Sequence, residues 1–302
     1  MGMSINTNLS ALNTYRNLNA TQNDLSKSLE KLSTGLRINR AADDASGLTI
    51  SEGLKSQVGG LTVAARNAQD GISVVQTAEG GLTETHSILQ RMRDLAVQAG
   101  NDSNNDTSRK AIETEVGQLQ QELVRISDST NFNGIKLLDG KAATNAADVA
   151  AGGGSGKLTF QVGANSGDSS KITVDLKQAD VSAVAKNLTV DGVDATGAAT
   201  TGALHFDTNE NAQKAIVAID AEIKNVSAAR SNIGAVQNRF DHAINVTNVA
   251  KENLTAASSR ITDVDMAQEM VKYTRDNILS QAGTSMLAQA NQSTQGVLSL
   301  LR

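Results

Sequence analysis

At 302 residues the chain has room for about two domains and a sizeable core, yet aromatic residues make up 2% of it and tryptophan is absent, which favours thin helical layers filled by Ala, Leu, Val and Ile over a compact enzyme core. The net charge of -5 is modest and mixed in sign, so it gives no reason to expect nucleic acid or an anionic membrane as partner. Zero cysteines exclude disulfides, thiolate metal sites and thiol nucleophiles, and zero prolines remove slow cis/trans isomerisation from refolding.

The start, MGMSINTNLS, lacks the basic opening and apolar run of a secretory signal, and Asn6 breaks the myristoylation pattern. No stretch has the length and apolarity of a membrane span. Residues 1 to about 40 read as helix: Leu18, Leu25, Leu29, Leu32 and Leu36 recur at three-, four- and seven-residue spacing on one face, ending near Gly35. Such a stripe needs a partner helix, either the other terminus or another molecule. The run from Ala41 to Gly47 offers capping residues before a second helical region, Leu48 to about Gly100. Gly59-Gly60, Gly71 and Gly80-Gly81 interrupt that region, and because glycine costs about 1 kcal/mol relative to alanine inside a helix, they predict close packing, bends or breaks.

A third helix is expected from Thr107 to Ser127, with Ile112, Val116, Leu119, Leu123 and Ile126 on one face, stopping at the turn signal Asn131-Phe132-Asn133-Gly134. After Gly140 the texture becomes Ala, Gly, Thr and Asp. Leu158 to Val162 and Ile172 to Leu176 then alternate with period two around a polar turn, which predicts a β-hairpin. Residues 187–204 are small and weakly patterned. Helix returns from about Asn209 and dominates to the end, where Val264, Val271 and Ile278 lie seven apart and Leu298, Leu300 and Leu301 carry apolar character to the terminus. The chain therefore reads as mainly α, a long coiled coil or bundle of paired N- and C-terminal regions with a small β-hairpin inserted and little or no outer domain.

Candidate chemistry is sparse. The segment Ala151-Gly152-Gly153-Gly154-Ser155-Gly156-Lys157 resembles a phosphate-binding loop, but Leu158 stands where a magnesium-binding hydroxyl belongs, so a linker is the better reading. His86, His205 and His242 are isolated. Asp43 with Asp44, and Asp263 with Asp265, sit at expected helix starts, where carboxylates cap amides. The Asn187-Leu188-Thr189 sequon carries little weight, and surface Ser and Thr remain open to O-glycosylation.

The residues Leu29-Glu30-Lys31-Leu32-Ser33-Thr34-Gly35-Leu36-Arg37-Ile38-Asn39 and Ala41-Ala42-Asp43-Asp44-Ala45-Ser46-Gly47-Leu48 resemble the N-terminal signature of bacterial flagellins. Gln69 to Ser73, Thr130 to Gly134, Gln161 to Asn165, Ser258 to Ala267 and Gln295 to Arg302 resemble later segments of that family, in the same order. The resemblance implies a filament subunit for swimming motility, without enzymatic activity or cofactor. Residues 1–44 with 259–302 would form an inner coiled-coil domain, and 45–186 with 205–258 a helical rod bearing the hairpin. Residues 187–204 would be all that is left of the variable surface region.

Polymerisation is then expected through Leu18, Leu25, Leu29, Leu32, Leu36, Val264, Val271, Ile278, Leu298 and Leu301. By position, Gln90, Arg91, Leu95 and Glu115 match a surface recognised by Toll-like receptor 5. Implied partners are copies of the chain itself, the flagellar export apparatus and an export chaperone, hook-associated and cap proteins, and that host receptor, with no nucleic acid and no membrane insertion. The resemblance also implies secretion to the extracellular filament without a cleaved signal. A hook–filament junction protein is the nearest alternative. An adhesin or enzyme on the same frame would need a larger insertion than 187–204 supplies.

Overall fold

The computed structural model describes residues 8–141, 156–188, 192–193, 199–200 and 204–300, with side chains described to residue 292 outside the short 192–193 and 199–200 strands. Among these, six α-helices dominate: α1 Leu9–Thr34, α2 Ala45–Ala99, α3 Asp106–Ser129, α4 Val181–Asn187, α5 Asn209–Thr262 and α6 Met266–Leu300. Antiparallel pairs join β1 Asn131–Phe132 to β2 Ile135–Lys136, β3 Lys157–Gln161 to β4 Lys171–Asp175, and β5 Gly192–Val193 to β6 Ala199–Thr200. Residues 151–155 of the phosphate-loop-like segment lie outside the described residues, while Gly156 is described and Lys157 opens β3. The chain divides into two compact units, residues 1–58 with 252–302 and residues 59–251, and the divisions fall inside α2 and α5.

In the terminal unit α1 and α6 run antiparallel. At one end the Asn8 side-chain Nδ2 donates to the Ala290 carbonyl at 3.0 Å. At the other, the Val264 N–H donates to the Gly35 carbonyl at 3.0 Å, the Arg37 N–H to the Thr262 carbonyl at 2.6 Å, and the Arg37 guanidinium to the Ile261 carbonyl. Gly35 makes the turn possible: its φ of 73° is left-handed, and its N–H returns to the Lys31 carbonyl to close α1.

The expected caps resolve into two kinds. Asp44 accepts from the Gly47 N–H at the head of α2, and Asp265 from the Ala267 and Gln268 N–H groups at the head of α6. Asp43 and Asp263 do not occupy helix starts. Asp43 accepts from the Arg40 and Asn39 backbone N–H groups in the preceding turn, and these bonds hold its carboxyl below the usual aspartate range. Asp263 follows the last residue of α5 and is bonded by the Ser259 and Thr262 hydroxyls. The sequence signal was the same for all four because a short acidic side chain suits either end of such a junction.

In the central unit α3 buries Ile112, Val116, Leu123 and Ile126, with Leu119 half-buried, as its periodicity predicts. Asn105 caps it by accepting from the Ser108 N–H. The glycines of α2 produce no break: the helix is continuous from Ala45 to Ala99. Of the expected alternatives, close packing is the one the structure shows. A Cβ on Gly60 would lie 2.9 Å from the Ala164 Cβ, one on Gly71 2.6 Å from the Phe240 ring, and one on Gly81 2.6 Å from the Leu138 methyl. Each therefore seats a specific neighbour, whereas Gly59 and Gly80 face open space.

The β3–β4 hairpin pairs Leu158 with Val174 and Phe160 with Ile172, placing one apolar face on the helices. Asn67 of α2 donates to the Gln161 carbonyl at 3.1 Å and anchors its turn. Phe160 and Phe240 meet edge to face at 5.5 Å. Of residues 187–204, the described portion contains the β5–β6 pair.

Candidate functional site

The residues singled out in the sequence lie on two surfaces, one in each unit. On α1, Leu18 is buried against α6, where a Cβ on Gly283 would lie 3.1 Å from its Cδ1. Leu25, Leu32 and Leu36 are half-buried, while Leu29 is 52% exposed. Val264, in the junction before α6, is half-buried, but on α6 Val271 is 71% and Ile278 61% exposed. The seven-residue stripe of α6 thus turns away from α1, and α6 instead buries Asp276, 5% exposed. Leu298 and Leu301 lie outside the residues whose side chains are described.

The uncovered face of α6 forms an open apolar trough of about 430 Å³ lined by Met270, Val271, Thr274, Arg275, Ile278 and Leu279. Leu9, Leu12 and Tyr15 of α1 are also more than half exposed.

In the central unit, α2 and α3 bring Arg91 and Glu115 together although 24 residues separate them. Arg91 Nε and Nη2 donate to the same carboxylate oxygen at 3.0 and 2.7 Å. Both side chains are substantially exposed, so the pair is worth about 0–1 kcal/mol and is cheaply rearranged. Gln90 is exposed beside it and bonds His86 at 2.9 Å. Nearby, Arg93 of α2 reaches Asp220 of α5 at 2.6 Å; the carboxylate partner pushes that guanidinium up from its ordinary value.

Leu95, expected to share this surface, is placed inside instead, 3% exposed with Leu89, Met92, Ile112 and Val116 in the same core. The family resemblance placed it on the same surface as Arg91, but the apolar side of α2 includes 89, 92, 95 and 96, leaving Arg91 at its polar margin.

His205 pairs with Glu113 at 2.8 Å and fastens the start of the segment leading to α5 against α3, an interaction sequence reasoning missed because the two lie 92 positions apart. His242 is exposed on α5. Among the described residues, no group of three His, Cys, Asp or Glu could hold a metal ion, and no helix is long and apolar enough to cross a membrane.

Comparison with known proteins agrees with this architecture. The family model described as the bacterial flagellin N-terminal helical region matches residues 5–143, and that of the C-terminal helical region matches residues 216–301. A flagellin from Halalkalibacterium halodurans is 49% identical over 300 residues, covering 99% of this chain and 100% of its own. A flagellin from Bacillus subtilis is 48% identical over 310 residues, with 99% and 100% covered. Among solved structures, a putative flagellar hook-associated protein from Vibrio parahaemolyticus shares the fold, at 16% identity and a TM-score of 0.53 over 73% of this chain and 100% of that one. With helical regions at both ends, an antiparallel terminal pair and near-identical length to relatives that match from end to end, the chain belongs to the bacterial flagellin family.

Proposed function

We propose that the chain, a structural subunit of the flagellar filament by family, polymerises through the apolar faces that α1 and α6 leave uncovered, and that the resulting filament serves swimming motility. The observation that carries this reading is the exposure of Val271 and Ile278 on a helix whose other side is already occupied by α1. A second helix from another copy would bury them, at roughly 1.5–3 kcal/mol per large apolar side chain.

In this reading residues 1–44 and 259–302 make the inner layer, 45–186 and 205–258 the outer rod, and 187–204 a short surface segment. The chain acts as a building block without catalysis or cofactor, reaches the outside through the export apparatus with a chaperone, and meets hook-associated and cap proteins at the filament ends. The 49% identity to a flagellin across the whole chain favours this over a hook–filament junction role, for which only a shared fold speaks. Purified chain added to filament seeds is expected to elongate them under the electron microscope; seeds that stay their original length would overturn the reading.

The Gln90, Arg91 and Glu115 surface is the proposed contact for Toll-like receptor 5, with Leu95 supporting it from beneath. Arginine paired to an exposed carboxylate can exchange that partner for one on a receptor. Arg91→Ala is expected to weaken binding by about 2 kcal/mol or more, roughly thirtyfold. Glu115→Ala should weaken it less, because it removes only the group that orients Arg91. Surface-immobilised receptor titrated with monomer would measure both, circular dichroism would verify folding, and an unchanged affinity for Arg91→Ala would remove this surface from consideration.

A further inference from the structure

Six methionines occur in the chain. Met1 and Met3 lie outside the described residues, and Met92 is fully buried in the central unit. The other three all lie on α6 and are open to solvent: Met266 48%, Met270 51% and Met286 65% exposed. Met270 lines the apolar trough with Val271, Ile278 and Leu279, and Met266 stands one helical turn before it on the same side. Methionine suits such a place because its flexible thioether adapts to an incoming apolar surface. The same property exposes it to oxidation while the trough is empty.

We propose that Met270, backed by Met266, is an oxidation site through which peroxides control whether an unassembled chain can join the polymer. The inference rests on the reading that this face of α6 is covered on assembly. The Met270 sulfur attacks one oxygen of hydrogen peroxide; the O–O bond breaks, an S–O bond forms, the sulfur is oxidised by two electrons, and the peroxide is reduced to water. The product, a sulfoxide, is polar and chiral, so docking an apolar partner on it would bury an oxygen without a donor. Methionine sulfoxide reductases reverse the change, which makes it a switch and not only damage. Once a neighbour covers the trough, peroxide loses access to the sulfur.

The test treats the full chain with hydrogen peroxide, as monomer and as preformed filament, and follows each methionine by peptide mass spectrometry. In the monomer, Met266, Met270 and Met286 should oxidise while Met92 stays reduced; in the filament, Met270 should be protected. Oxidised monomer should need about a tenfold higher concentration to elongate seeds, equivalent to about 1.4 kcal/mol per subunit. Treatment with the reductases should restore elongation.

Met270→Leu should lose the peroxide response, its elongation after peroxide matching that of the same variant left untreated. Met270→Gln should elongate poorly without peroxide, and a chain with Met266→Leu and Met286→Leu should keep the response. If Met270 is protected in filaments but its sulfoxide form elongates seeds as well as the reduced chain, or if Met270→Leu responds as the parent does, the switch is wrong and the assembly reading stands. If Met270 oxidises equally fast in filament and monomer, the face is not covered, and the switch fails together with that part of the assembly reading.

Discussion

Removal of residues 281–302 is expected to abolish elongation of filament seeds while leaving a soluble, helical chain. The deletion takes away Gly283, on which Leu18 packs, and the Ala290 carbonyl that holds Asn8, so the first half of α1 loses its partner. Burying one large apolar side chain such as Leu18 is worth roughly 1.5–3 kcal/mol, and losing that contact together with the Asn8 hydrogen bond raises the concentration needed for assembly by about tenfold or more. The core of the central unit is built within residues 59–251 and does not depend on the removed segment. Sedimentation should show a monomer, and circular dichroism a helical signal reduced only by the missing turns. Filaments of normal length from the truncated chain would show that the terminal helices do not carry assembly.

Phe240→Ala is the second change with a large expected effect, here on stability. The ring is fully buried, meets Phe160 edge to face, and fills the space that Gly71 leaves beside α2. It therefore joins α2, α5 and the β3–β4 hairpin at one point. Replacing it leaves a cavity among groups held by three elements, and the expected cost is about 3–5 kcal/mol. For a unit of this size each kcal/mol lowers the melting temperature by about 2–4 °C. Gly71→Ala should destabilise too, despite the better helix propensity of alanine, because the new methyl would meet the ring at 2.6 Å. Thermal melts followed by circular dichroism would decide; a loss below about 1 kcal/mol for Phe240→Ala would mean that the neighbours collapse to refill the site.

The elements themselves were legible residue by residue. The spacing of Ile112, Val116, Leu123 and Ile126 forecast α3 and its buried side, the alternation around Phe160 and Ile172 forecast the hairpin, and Asp44 and Asp265 marked helix starts that their side chains cap. Family motifs told which family the chain belongs to, because several of them occur in one order along the sequence.

Local sequence determines local hydrogen bonding and which side of an element is apolar, since both depend on neighbours within a few residues. It does not determine what covers an apolar side. Glycines in α2 read as close packing, bends or breaks, and only the tertiary structure decided for close packing, with Phe240, Leu138 and Ala164 filling the space that three missing side chains leave along a continuous helix. The stripe at Val271 and Ile278 read as a seam, and the tertiary structure turned it outward by placing Asp276 and Gly283 on the buried side. Arg91 and Glu115 became a pair, and Leu95 a core residue, only when α2 packed on α3. In each case the deciding contact joins residues far apart in the chain, and its energy depends on a packing partner that no short-range pattern encodes.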